Sequence, residues 1–129
     1  MTEPTTPLSR ASIGTLPTPV RQVVPFAPLQ GSVIVRGLML EEQLANAVTT
    51  AAERTPRDGE TDAEAAARAN GAMALRLLSQ VVIEEGGAPL LPLSAWQALG
   101  QTHPGDVLDL SGVALRLAGS DVDAAAKNS

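Results

Sequence analysis

His103 is the single imidazole in the chain, and no cysteine accompanies it. It precedes Pro104, a residue suited to the first turn of a helix, so it reads as an exposed loop or cap residue. Glu84 and Glu85 could be taken for paired carboxylates. Acid–base work needs both groups aimed at one reacting atom, whereas adjacent residues at a helix end point in different directions. Gly86 and Gly87 resemble a phosphate loop only in composition. Such loops place their glycines before a helix N-terminus, and these follow a helix. No Ser/His/Asp set can be assembled, and thiolate metal sites are excluded outright. The expectation is a chain that is not an enzyme and uses no cofactor or metal.

Binding remains. Trp96 carries both a large apolar body and a polar N–H. It reads either as a core anchor on a short Leu/Ala helix or as a contact for a partner. Leu99 on the same short helix, with Leu90 and Leu91 in the loop before it, also lies outside the main helical stripes. Leu90, Leu91, Trp96 and Leu99 are therefore the candidate partner-binding residues.

Composition narrows the partners. The formal net charge is −5 and no Lys/Arg run occurs, which argues against nucleic acid. No apolar run reaches the roughly 18–20 residues of a membrane span. The opening MTEPTTPLSR lacks the basic start and apolar block of a secretory leader. Aromatic residues make up 2% of the chain against 44% hydrophobic residues, so a core must be built from Leu, Val, Ile and Ala.

Several elements would position these groups. Residues 1–19 contain four prolines among Thr and Ser and read as an extended or disordered arm. Val20–Leu29 and Val33–Arg36 read as a small hairpin about a Gln30-Gly31-Ser32 turn. Pro25 and Pro28 confine the first strand to an edge. Leu40–Arg54 reads as a helix, with Leu40, Leu44, Ala47, Val48 and Ala51 at three- and four-residue steps. Thr61–Ile83 is the expected central helix, opened by a Thr61/Glu64 capping box and apolar over a wide arc. Ser94–Leu99 reads as a short helix, with Gln97 completing a second capping box and Gly100 just past its end. Pro104–Leu117 reads as the last helix, and residues 120–129 as a polar tail. The expected fold is mainly α: about four helices in a domain spanning 20–119, preceded by a short β-hairpin and a Pro/Thr-rich arm. Its core is expected to centre on Leu44, Val48, Leu75, Leu78, Val82, Leu108 and Leu115.

The order of three segments resembles a known family. PLQGSVIVRGLMLEEQL (Pro28–Leu44) feeds a helix, ALRLLSQVVIEEGGAPLLPLSAWQALG (Ala74–Gly100) ends a long helix in an acidic-Gly loop, and HPGDVLDLSGVALRLAG (His103–Gly119) closes the domain. This pattern is similar to that of the tail assembly chaperones of long-tailed bacteriophages. Departures from it are the long Pro/Thr arm and the lack of an acidic run in Ser94–Leu99. The resemblance implies a non-catalytic protein in the cytoplasm of an infected bacterium. Its helical domain would bind the tape-measure protein and help to recruit tail-tube subunits, without nucleic acid or membrane; self-association is left open. A structural tail or connector subunit of the virion is the alternative. Many of these chaperones are also made in a longer form by ribosomal slippage. Ala126-Lys127-Asn128 admits codons containing the adenine run that this requires.

Overall fold

The computed structural model describes residues 9–10 and 20–119. The expected arm at 1–19, apart from Ser9 and Arg10, lies outside the described residues, as do the 120–129 tail and its Ala126-Lys127-Asn128 sequence. The described residues form a three-stranded antiparallel sheet and four helices, in the order β1 (Arg21–Phe26), β2 (Gly31–Arg36), α1 (Leu40–Glu53), α2 (Asp62–Val81), β3 (Val82–Ile83), α3 (Leu93–Thr102) and α4 (Pro104–Gly119). The fold is mainly helical, with the hairpin in front of the helices.

The hairpin turns through a 3₁₀ segment, Ala27–Leu29, and Gln30 in the left-handed region at φ 58°. Strand order is β1-β2-β3, so among the described residues β1 stands at an edge of the sheet. The Gly37 N–H donates to the Val20 carbonyl at 3.0 Å, and alternation along β1 then turns the backbone groups of Arg21, Val23 and Pro25 outward. Pro25 thus lacks its N–H where no ladder bond is needed.

α2 starts as its sequence dictates. The Glu64 N–H donates to the Thr61 hydroxyl and the Thr61 N–H to the Glu64 carboxylate, each at 3.1 Å. It ends two residues sooner than the periodicity predicts. Val82 and Ile83 leave the helix and pair with Val35 and Ile34, giving β2 a second neighbour. Both side chains are β-branched and buried, conditions under which a strand competes well with a helix. α3 also differs from expectation. Pro92 is its N-cap, Ser94 makes no capping box, and Gly100 lies inside the helix, which runs on to Thr102.

α4 packs across α2 and reaches β1 and β2, while α3 closes on both α2 and α4. The core between them contains Phe26, Val35, Leu77, Leu78, Trp96 and Leu110, all at most 3% exposed. Leu78 and Val82 belong to it as expected, and Leu75 packs half-buried at its margin. Leu44, Val48, Leu108 and Leu115 do not. They are 59, 73, 59 and 45% exposed, because the helices that carry them turn other faces inward.

Candidate partner-binding site

α1 is mounted with its polar face inward. Glu42, Asn46, Thr50 and Glu53, at helical spacing, look towards β2 and α2. The Arg36 guanidinium donates to both Glu42 carboxylate oxygens at 2.7 Å. Asn46 and Gln80 exchange amide hydrogen bonds, and Arg76 donates to the Thr50 hydroxyl at 3.1 Å and to Glu53 at 2.9 Å. Asn46 and Thr50 are the buried residues of this helix. Its apolar residues Leu40, Leu44, Ala47, Val48 and Ala51 are all exposed on the opposite side.

The ion pairs that hold α1 and the turn after it depress three carboxyls. The Arg36 hydrogen bonds hold Glu42 below its ordinary value, and Arg76 does the same for Glu53. At the start of α2, Arg68 holds the Glu60 carboxyl down at about 2, helped by the Arg57 backbone N–H.

Two apolar grooves flank α2. One, of about 480 Å³, lies between α2, α3 and α4, with Gly71, Ala74 and Leu75 facing Gln97, Gly100 and Gln101 and with Pro104, Val107 and Leu108 closing it. Glycine stands at two walls: a Cβ on Gly71 would meet nothing within 4 Å, whereas one on Gly100 would meet Leu75 at 3.3 Å, so the close packing is at Gly100. Leu108 stands exposed at the rim. The other groove, of about 440 Å³, runs between α1, α2 and the end of α4, with Ala47, Ala51, Met73, Leu77 and Leu115 among its walls.

The four residues singled out from sequence are not gathered into an outward patch. Trp96 has no exposed surface; its ring packs tilted against Phe26 at a centroid distance of 5.8 Å, and its indole N–H has no hydrogen-bond partner. Desolvation of so large a side chain outweighs one unmade bond. Trp96 is therefore the core anchor of α3, and not a surface contact. Leu90, Leu91 and Leu99 are half-buried against the same core. The face of α3 that lines a groove is the other one, carrying Gln97, Gly100 and Gln101. The residues overlooked in sequence are the exposed α1 stripe and Leu108. The usable signal for α1 was its ten-residue uncharged run, 43–52, set against polar residues spaced to meet Arg76 and Gln80.

The residues first considered for catalysis stay apart. His103 is exposed at the end of α3, with Nδ1 2.9 Å from the Thr102 hydroxyl. Glu84 and Glu85 are exposed in a turn, where the Gly87 N–H donates to the Glu84 carbonyl at 2.9 Å and Gly87 takes φ 99°. Among the described residues no cluster of three metal-ligating side chains occurs, and no helix is long and apolar enough to cross a membrane. No protein-family model, no curated protein and no solved structure matches this chain.

Proposed function

We propose that this chain is a non-catalytic assembly chaperone that holds an apolar helix of a phage tape-measure protein in the α2–α3–α4 groove. The observation that carries the reading is that groove: an apolar trough walled by three helices, with small residues at its sides and Leu108 59% exposed on its rim. Helix-in-groove recognition needs such a trough and side chains ready to be covered. Gln97 and Gln101 at its edge offer hydrogen bonds without imposing a charge. The order of segments from Pro28 to Gly119 supports the choice of client, a tape-measure protein whose long apolar helices would aggregate alone. On this reading the protein acts in the infected bacterial cytoplasm and hands the complex to tail-tube subunits.

Co-expression tests the reading. The tape-measure protein should stay in the supernatant with this chain, pellet without it, and pellet again with the Leu108→Glu variant. Solubility independent of this chain overturns the proposal.

The second reading, a structural tail or connector subunit, draws support from β1, which has one strand neighbour among the described residues. There Val23 is 67% exposed and the outward backbone groups of Arg21 and Val23 could extend a neighbouring sheet. Recovery of the chain in stoichiometric amount from purified mature particles would favour this role over the chaperone.

A further inference from the structure

The outward face of α1 belongs to neither the core nor the α2–α3–α4 groove. We propose that it is a homodimer interface in which α1 packs antiparallel against α1 of a second copy. Three observations select this occupant.

The face is self-complementary in shape. Leu40 and Leu44 form a crest, while Ala47 and Ala51, further along the same helix, open into the trough bordered by Met73 and Leu115. A two-fold axis between the levels of Leu44 and Ala47 sets Leu44 over Ala47 of the second copy, and Leu40 over Ala51 of the second copy. These two layers each join a large residue to a small one, the arrangement that lets helices interdigitate, and the same register sets the exposed Val48 over Gln43 of the second copy. Parallel packing would stack leucine on leucine and alanine on alanine.

Charge selects the same direction. The run 43–52 is uncharged, with the exposed acid Glu41 before it and the exposed base Arg54 just beyond it. Antiparallel copies bring Glu41 of each face towards Arg54 of the other, and oppose their helix dipoles. Parallel copies bring like ends together.

The mounting of α1 supplies the third observation. Glu42, Asn46, Thr50 and Glu53 are committed to Arg36, Gln80 and Arg76, so α1 cannot turn its apolar side inward without breaking four sets of hydrogen bonds. The apolar face is held outward as a rigid surface, and a second copy covers it at no cost to the core.

Sedimentation of the full chain over a concentration series reads the outcome. The expected result is a species of twice the chain mass, with Leu44→Glu weakening association by about 100-fold or more, since it places an unpaired charge in the interface. Far-UV circular dichroism should be unchanged, because Leu44 is exposed in the monomer. The wild-type chain has no cysteine, so mixed single-cysteine variants Leu44→Cys and Ala47→Cys report geometry without background. They should oxidise mainly to the 44–47 heterodimer. A monomer at high concentration, a dimer indifferent to Leu44→Glu, or predominant 44–44 and 47–47 products would each overturn the proposal. Client solubilisation through Leu108 is scored separately and does not depend on this result.

Discussion

Asn46 on α1 and Gln80 on α2 exchange two amide hydrogen bonds across the helix pair. Asn46 Nδ2 donates to Gln80 Oε1 at 2.8 Å, and Gln80 Nε2 donates to Asn46 Oδ1 at 3.2 Å. This pair sits midway between the Arg36–Glu42 and Arg76–Glu53 ion pairs, in a seam that is polar along its length. The seam decides which side of α1 meets the protein and which side meets solvent or a second copy.

Removing one member leaves the other unsatisfied in a half-buried seam. Asn46→Ala should destabilise the fold by about 1–3 kcal/mol, the cost of an orphaned polar group. The double variant with Gln80→Ala should cost less than the two single changes summed, by about 0.5–3 kcal/mol. Urea titrations of the four proteins complete the cycle; strict additivity would mean the two amides do not interact.

Acid should weaken the protein in a defined window. Glu42, Glu53 and Glu60 have folded values below the unfolded value near 4.5, and Glu60 lies at about 2. Groups depressed in this way stabilise the fold above the unfolded value and lose that contribution as pH falls through the folded one. Stability should therefore be flat between about pH 6 and 8 with respect to these groups, and decline from about 4.5 towards 2. Glu60 and Arg68 lie near the surface, so Glu60→Gln should make the acid decline only slightly shallower. Urea midpoints taken across that range would check both the sign and the window.

Burial separates two leucines that look alike in sequence. Leu78 has no exposed surface, and Leu78→Ala should cost about 2–5 kcal/mol. Leu108→Ala should stay within about 0.5 kcal/mol, as for an ordinary surface change. Thermal and urea unfolding of both variants test the contrast. Equal losses would place Leu108 in the core.

Gly71 lines the α2–α3–α4 groove from within a helix, and an added Cβ there meets nothing. Gly71→Ala should raise stability by about 0.4–1 kcal/mol through the unfolded chain. Gly71→Trp should fill the groove and leave the fold intact, and under the proposed chaperone role it should abolish solubilisation of the tape-measure protein. A loss of stability in the alanine variant would show the site to be tighter than the structure has it.

Trp96 is the single tryptophan, so its fluorescence reports on one place in the fold. Emission should be blue-shifted and poorly quenched by iodide, because the ring is fully buried against Phe26. Ready quenching of the native protein would place the ring at the surface and reinstate it as a contact residue.

Local chemistry made most of the elements legible in the sequence. The Thr61/Glu64 box, the breaks at Pro56 and Gly59, and the proline at the start of α4 each act within a few residues, so helix positions follow from composition. Pro25 likewise announced an edge strand, because a missing N–H is tolerated only where no ladder bond is due. Periodicity grouped Leu40, Leu44, Ala47, Val48 and Ala51 on one face of α1, but grouping carries no sign. Which face turned inward depended on Arg76 and Gln80, about 30 residues further along, and on Arg36 from β2. The same limit applied to Val82 and Ile83, whose strand exists only because β2 lies beside them. It applied again to the site: Leu90, Leu91, Trp96 and Leu99 were apolar residues without an evident partner in sequence, and packing of α3 and of the loop before it against the core supplied that partner. The sequence by itself determined where the chain is helical and where it breaks. Only the tertiary structure decided which apolar faces are covered, because burial is settled between elements distant in the chain.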